Sequence, residues 1–270
     1  MKNPSFFFLV LAITAAVLIA GCAQQAPPAP PSTPQATPEP TSIKTAGTIG
    51  TAGSPYGTIL VDSLGRTLYY SANDIPGSGV STCTGACAAL WPAISADTAK
   101  MTAPLIPADF GSITRADGSE QTTYRGRPLY YSRSDSHKGD FNGENAQNAW
   151  FVVRPGEHIL AGHKADLGVY LTDSSGKALY YNTNDTAGTS TCTGPCLTLW
   201  PAFSADPVTV PPFLNATDFG TVSRADGIKQ TAFRKRPLYS FAGDGDPGEV
   251  NGQGASGIWY VANVSVAALK

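Results

Sequence analysis

The sequence predicts a protein that is all-β or nearly so: two tandem, similar β domains, each of two hairpin-containing units plus a short helix at a cysteine pair. Three observations carry that prediction. Charged residues make up 14% of the chain, while glycine and proline number 28 and 22. That balance favours short strands joined by turns over long solvated helices. The second observation is a repeat: Cys83-Thr84-Gly85-Ala86-Cys87 and Leu90-Trp91-Pro92-Ala93 return as Cys192-Thr193-Gly194-Pro195-Cys196 and Leu199-Trp200-Pro201-Ala202. Asp109-Phe110-Gly111, Arg115-Ala116-Asp117-Gly118, Asn142-Gly143 and Trp150 recur in the same register, a tandem duplication with a period of about 109 residues. Third, each copy is itself double. A Leu-Tyr pair with an aspartate five residues after the tyrosine occurs at Tyr69/Asp74, Tyr130/Asp135, Tyr180/Asp185 and Tyr239/Asp244. Each run is followed by one of the chain's four tryptophans, Trp91, Trp150, Trp200 and Trp259.

Local chemistry predicts the elements in order. Thr58 to Val61 is strand-like, Asp62-Ser63-Leu64-Gly65 has turn residues, and Arg66 to Ser71 is a returning strand. Val169 to Thr172, Asp173 to Gly176 and Lys177 to Asn182 repeat that plan. The second unit of each copy adds a turn at Ala116-Asp117-Gly118 or Ala225-Asp226-Gly227 and one more strand. Pro128 and Pro237 open the Leu-Tyr strands, where a missing N–H is tolerated. Helix is expected only over Cys83 to Leu90 and its counterpart, capped by Thr82 or Thr84.

The N-terminus reads as an address. Lys2 precedes an uncharged apolar run from Phe6 to Ala20, shorter than the roughly 20 residues a membrane span needs. It ends in Ile19-Ala20-Gly21-Cys22, which resembles the lipobox of bacterial-type lipoproteins. That resemblance implies cleavage before Cys22 and diacylglycerol on its thiol, hence a membrane partner and an extracytoplasmic place at the cell membrane or cell surface. Two acyl chains hold where one binds reversibly, since each buried CH₂ contributes about 0.8 kcal/mol. The predicted organisation is residues 1–22 as signal, 23–55 as a disordered Pro/Thr/Ala-rich linker, 56–163 as the first repeat domain and 164–270 as the second.

Several chemistries are poorly provided for. The formal net charge is −2 and no Lys/Arg run is longer than Arg234-Lys235-Arg236, which argues against nucleic acid as a partner. His137, His158 and His163 have no counterparts in the other copy, so a duplicated catalytic histidine is excluded. No nucleophile-elbow, zinc-protease or phosphate-loop pattern is present, and no catalytic residue is assigned. The four cysteines after Cys22 form two Cys-x₃-Cys pairs. Spacing of i to i+4 brings Cα atoms to about 6 Å, which predicts Cys83–Cys87 and Cys192–Cys196 disulfides over a metal site or a catalytic dithiol.

The aspartates are the leading functional candidates. Asp74, Asp135, Asp185 and Asp244 are expected to cap turns by accepting backbone N–H groups. Asp135, Asp140, Asp244 and Asp246, in acidic glycine-rich loops, are the alternative as calcium ligands, although the EF-hand order fails at Gly248 and Glu249. No cofactor other than this calcium alternative is predicted. Neighbouring tyrosines such as Tyr69 and Tyr70 should face opposite sides of a strand, one inward and one exposed, where stacking on a glycan or an envelope protein becomes available. The tryptophans are assigned to the core.

The Leu-Tyr-x₄-Asp runs, with Cys-Thr-Gly-x-Cys and Leu-Trp-Pro, resemble a family of secreted-repeat lipoproteins described by a Tyr-x-(Phe/Trp/Tyr)-x-x-Asp motif. Tyr239-Ser240-Phe241-Ala242-Gly243-Asp244 fits that motif in full, whereas Ser71, Ser132 and Asn182 occupy the aromatic position elsewhere. The resemblance covers nearly all of Tyr56 to Ala262 and implies address and repeat architecture, with no catalytic residues to carry over. The expected function is a non-enzymatic binding or scaffolding lipoprotein of the cell envelope; the alternative is an extracytoplasmic redox or electron-transfer component using the Cys pairs.

Overall fold

In the computed structural model, residues 43–44, 47–97, 101 and 104–269 are described. The signal, Cys22 and the greater part of the stretch assigned to the linker lie outside the described residues. The fold is mostly β, in small sheets, with short helices beside the disulfide-bonded pairs. The first module contains β1 (Ile43–Lys44), β2 (Ile49–Ser54), β3 (Gly57–Asp62), β4 (Tyr69–Ser71), helix α1 (Ala86–Leu90), β5 (Ile94–Ser95), β6 (Phe110–Thr114), β7 (Glu120–Tyr124), β8 (Arg127–Pro128) and β9 (Trp150–Val152). The second contains β10 (Ile159–Lys164), β11 (Gly168–Asp173), β12 (Tyr180–Asn182), α2 (Cys196–Leu199), β13 (Phe219–Ser223), β14 (Lys229–Phe233), β15 (Arg236–Pro237) and β16 (Trp259–Val261).

Hairpins β2–β3 and β10–β11 open the modules, three-stranded meanders β6–β7–β8 and β13–β14–β15 form their second halves, and β4–β9 and β12–β16 tie the halves together. The short parallel pair β1–β5 completes the pairing. Turn chemistry follows the sequence. Asp62 Oδ1 accepts the N–H groups of Leu64 and Arg66, both at 2.9 Å, and Asp173 Oδ1 accepts those of Ser175 and Lys177 at 2.9 and 3.0 Å. Gly65 and Gly176 follow with φ of 77° and 90°, which a side chain rarely adopts.

Two boundaries shift. Ile49–Ser54, within the stretch read as linker, is strand β2: Ile49 is buried and β3 needs a hydrogen-bonded neighbour on that side. Likewise β10, placed by the sequence at the end of the first domain, pairs with β11 and opens the second module. The expected hairpin of Thr58–Val61 with Arg66–Ser71 is also reduced. Only Val61 bridges Thr67 before the chain turns away, because Leu60, Leu68 and Val153 close a ring of backbone bonds. Leu68 N–H donates to Leu60 O at 3.0 Å, Leu60 N–H to Val153 O at 2.8 Å, and Val153 N–H to Leu68 O at 2.9 Å. Leu171, Leu179 and Ala262 close the same ring in the second module, at 2.7–2.9 Å. Three segments meeting this way satisfy buried amides without a continuous sheet.

Each module holds two apolar clusters, one on either side of its central Leu-Tyr strands. In the first module Tyr69, Tyr130, Trp91 and Trp150 form one, and Tyr70, Tyr131, Leu68 and Phe151 belong to the other. This corrects the expectation of an exposed tyrosine row: Tyr70 and Tyr131 are buried because the strand is covered on both faces. The Tyr70 cluster runs on into the second module, taking in Leu160, Ala161 and Val169, and Phe151 stacks on Phe213 with ring centroids 4.2 Å apart.

A shared core makes a cross-module prediction. Phe213→Ala, a change in the second module, should raise amide exchange rates in β4 and β9 of the first; unchanged rates there would separate the two cores.

Candidate functional site

The centre of each module is built from its two Leu-Tyr…Asp runs, which face each other. Tyr69 and Tyr130 exchange backbone bonds, N–H to O at 2.9 Å in both directions. Their hydroxyls then cross over. Tyr69 Oη donates to Asp135 Oδ2 at 2.7 Å, and Tyr130 Oη to Asp74 Oδ2 at 2.6 Å. The second module repeats the clasp: Tyr180 Oη donates to Asp244 Oδ2 at 2.6 Å and Tyr239 Oη to Asp185 Oδ2 at 2.8 Å. Each tyrosine therefore uses the aspartate of the opposite run, which explains why the two residue types recur together.

The second oxygen of each carboxylate does the capping predicted for it. Asp74 Oδ1 accepts both the N–H and the hydroxyl of Thr82 at 2.7 Å, and Asp185 Oδ1 does the same with Thr191 at 2.7 and 2.8 Å. Asp135 and Asp244 accept the N–H of Asn142 and Asn251, at 2.8 and 2.9 Å. Thr82 is thus taken by Asp74, and the expected threonine cap is corrected: the helices start later, at Ala86 and Cys196, with no side-chain cap at Gly85 or Pro195.

The tryptophans stack in pairs contributed by the two halves. Trp91 and Trp150 lie 3.9 Å apart at 2° between planes, and Trp200 and Trp259 3.9 Å apart at 3°. The clasp tyrosines meet their edges at 4.9–5.5 Å. The repeated glycine of Asn-Gly closes this block: a Cβ on Gly143 would sit 2.8 Å from Trp91 and 2.9 Å from Tyr69, and one on Gly252 2.7 Å from Trp200. At the motif's aromatic position, Phe241 packs on Trp200 at 4.4 Å, while Asn182 Oδ1 instead accepts the Asn184 N–H.

Beside the clasp stand residues whose role the sequence reading missed. Ser81 Oγ lies 2.7 Å from Tyr130 Oη, and Arg115 bonds Ser81 Oγ, Cys83 O and Gln121 Oε1. Gln121 passes its amide to Leu129 O at 2.9 Å. Ser190, Arg224, Cys192, Gln230 and Leu238 reproduce every link. The usable signal was the recurrence of a polar Gln121/Gln230 in a strand, since both are fully buried. Cys83–Cys87 and Cys192–Cys196 are bonded, with Cα atoms 5.2 and 5.4 Å apart.

The calcium candidates are spread out rather than assembled. Asp135 and Asp244 serve the clasps, Asp140 Oδ2 accepts the N–H groups of Ser136 and His137, and Asp246 is exposed. Among the described residues no three His, Cys, Asp or Glu side chains group as a metal site. Burial pushes the carboxyls of Asp135 and Asp244 upward, against their tyrosine donors, and raises all four clasp phenols far out of the titrating range.

One charged cluster belongs to the first module alone. Glu144 Oε2 accepts the Val152 N–H at 2.7 Å, where the second module uses a neutral amide, Gln253 Oε1 to the Val261 N–H at 2.8 Å. Burial raises the Glu144 carboxyl to about 7. Glu157 is fully buried near Arg154, whose Nη1 lies 3.6 Å away, and burial raises it well above the carboxylate range.

Four segments, 50–95, 111–154, 163–204 and 220–263, match the profile of the lipoprotein family described as a secreted repeat of unknown function. Together they cover more than half of the chain, which belongs to that family of extracytoplasmic secreted repeats. No curated protein and no solved structure matches it.

Two predictions follow from the geometry. In a double-mutant cycle of Tyr69→Phe and Asp135→Ala, urea unfolding should give a coupling of about 1–3 kcal/mol, since either change alone removes the shared hydrogen bond and leaves its partner group unmatched; additive effects would dissolve the clasp. Glu144 has a folded pKa of about 7 against 4.5 for the free side chain, so the folded state binds its proton more tightly. Its ionisation therefore removes stability as pH rises through 4.5 to 7, by up to about 3 kcal/mol. Glu144→Gln, which copies Gln253, should raise the unfolding midpoint at pH 8 and leave it nearly unchanged at pH 4.

Proposed function

We propose that the protein is a lipid-anchored, non-enzymatic module of the cell envelope that binds or scaffolds there, held to the membrane through Cys22. The single observation that carries the reading is where the repeated polar residues go. Asp74, Asp135, Asp185, Asp244, Arg115, Arg224, Gln121 and Gln230 all spend their side chains on other parts of the fold. Duplication has thus preserved a device for holding the two halves of a module together. The lipobox-like Ile19-Ala20-Gly21-Cys22 and the proline-rich stretch after it supply anchor and spacer. A folded body on such a tether presents the same surface twice at a distance from the bilayer, an arrangement suited to multivalent attachment.

Detergent phase separation of membranes, together with metabolic labelling by a tritiated fatty acid, tests the anchor. The wild-type protein should label and enter the detergent phase. Cys22→Ser should lose the label and move to the aqueous phase; label retained in that variant would defeat the assignment.

A further inference from the structure

His163 and Lys164 have no basic counterpart in the first module, whose opening hairpin carries Gly53 and Ser54 at the matching positions. Both stand where the two modules meet. A cavity of about 90 Å³, partly open to solvent, lies there between Asp74 and Arg127 of the first module and His163, Lys164, Tyr170 and Thr172 of the second. Close packing fixes its margin: a Cβ on Gly176 would sit 2.5 Å from Pro76, and one on Gly248 3.1 Å from Ile75.

Arg127 stands out in this wall. Its side chain is buried, and desolvation works against its charge. Its terminal nitrogens nevertheless make only long contacts, 3.4 Å each, to Ala161 O and Thr172 Oγ1, and its Nε has no partner. No carboxylate lies within ion-pair distance of it among the described residues. The counterpart in the second module is better served, since Arg236 Nε donates to Ala267 O at 3.0 Å. A guanidinium held out of water with its donors weakly engaged is costly unless an anion meets it. Asp74 does not fill that role. Its Oδ1 is taken by the N–H and hydroxyl of Thr82 and its Oδ2 by Tyr130, so both oxygens are already spent.

We propose that this cavity binds one small tetrahedral oxyanion of the phosphate class, with Arg127 and Lys164 supplying charge and His163, Tyr170 and Thr172 supplying hydrogen bonds. Arg127 and Lys164 outweigh the carboxylate of Asp74, so the wall is positive before any proton on His163 is counted. The donors come from β8, β10 and β11. Three strands approach from different directions, which suits four acceptor oxygens better than the planar pair of a carboxylate. Because Arg127 belongs to one module and the other donors to the next, the bound ion ties the modules together and stabilises the junction. The site owes nothing to the lipid anchor and gives the scaffold a ligand of its own.

The test is calorimetric titration of inorganic phosphate into the full-length protein in detergent, at constant ionic strength in chloride, with hydrogen exchange read on the same samples. Phosphate should bind saturably at one site per chain and slow exchange in β8, β10 and β11. Sulfate should compete and acetate should bind more weakly. Arg127→Gln should weaken phosphate about tenfold or more, the loss expected for a charge-assisted bond. Lys164→Gln, a change at a half-buried position, should weaken it severalfold and keeps the test decisive if the Arg127 variant does not fold. Glycerol 1-phosphate, titrated alongside, separates the two sources of the group. Equal affinity assigns a phosphate carried on an envelope lipid, weaker affinity assigns the free ion, and both uphold the site. Heats that never saturate overturn the proposal. So does binding that leaves exchange at the junction unchanged, or an affinity unaltered in Lys164→Gln.

Discussion

Each module is organised around an exchange: a tyrosine from one Leu-Tyr strand donates its hydroxyl hydrogen bond to a carboxylate that follows the other. The backbone bonds between Tyr69 and Tyr130 set the two strands side by side, and the crossed side-chain bonds then fix both trailing loops. Because Asp74 and Asp135 use their second oxygens on Thr82 and Asn142, the position of each loop depends on the opposite strand. The tryptophan stack is downstream of this. Trp91 follows the loop held by Asp74, Trp150 follows the one held by Asp135, and they meet face to face only once both loops are placed. Gly143 must lack a side chain for the same reason, since the ring of Trp91 occupies that space.

This order of dependence explains how a domain with such short strands holds together. The longest strands reach 6 residues, and several have 2 or 3. Sheets of this size have little stability of their own. Here the closed rings of backbone bonds and the side-chain clasps substitute for ladder length, and the two apolar clusters flanking the Leu-Tyr strands supply the burial. The disulfide is a local addition. It ties Cys83 to Cys87 across a loop of few residues, so its effect in the chain-entropy account is about 2 kcal/mol. Arg115 adds to it by fixing Cys83 O.

Much of this was legible in the sequence, for physical reasons that can be named. Duplication displayed the residues of the clasp four times, and the turn chemistry of Asp62 to Gly65 is local, so both could be read without a structure. What could not be read was the exchange. Nothing in a Tyr-x₄-Asp run says that its tyrosine and aspartate ignore each other and bind the opposite run. The local reading placed the aspartates as turn caps, which accounts for one oxygen of each carboxylate and misses the other. Strand periodicity leads to one exposed tyrosine in the Tyr69–Tyr70 pair because alternation assigns one face to solvent, an assumption that fails when both faces carry a core. Ile49–Ser54 was given to the linker because its glycines and small residues resemble the preceding stretch. Its pairing with β3 is a tertiary fact.

The differences between the copies have a physical cause of their own. Glu144, Arg127, Arg154 and Glu157 of the first module correspond in repeat register to Gln253, Arg236, Asn263 and Val266 of the second. In the first module these residues lie against the second: Arg127 reaches Ala161 O and Thr172 Oγ1 at 3.4 Å, and Arg154 donates to Val210 O at 2.5 Å. In the second module the same surface meets residues 264–267, where Arg234 bonds Val264 O and Val266 O and Arg236 bonds Ala267 O. Those apolar residues need only carbonyl-seeking arginines. A neighbouring module brings a larger contact, and at that contact stand two raised carboxyls, Glu144 and Glu157, beside the buried Arg127 and the part-buried Arg154. Charges buried this way cost more than apolar residues of the same size unless fully paired, and the oxygens of Glu157 have no hydrogen-bond partner. Among the described residues the junction therefore carries unmatched polar atoms, while the module centres are satisfied twice over. The copies have kept their interiors alike and diverged where one had to meet the other.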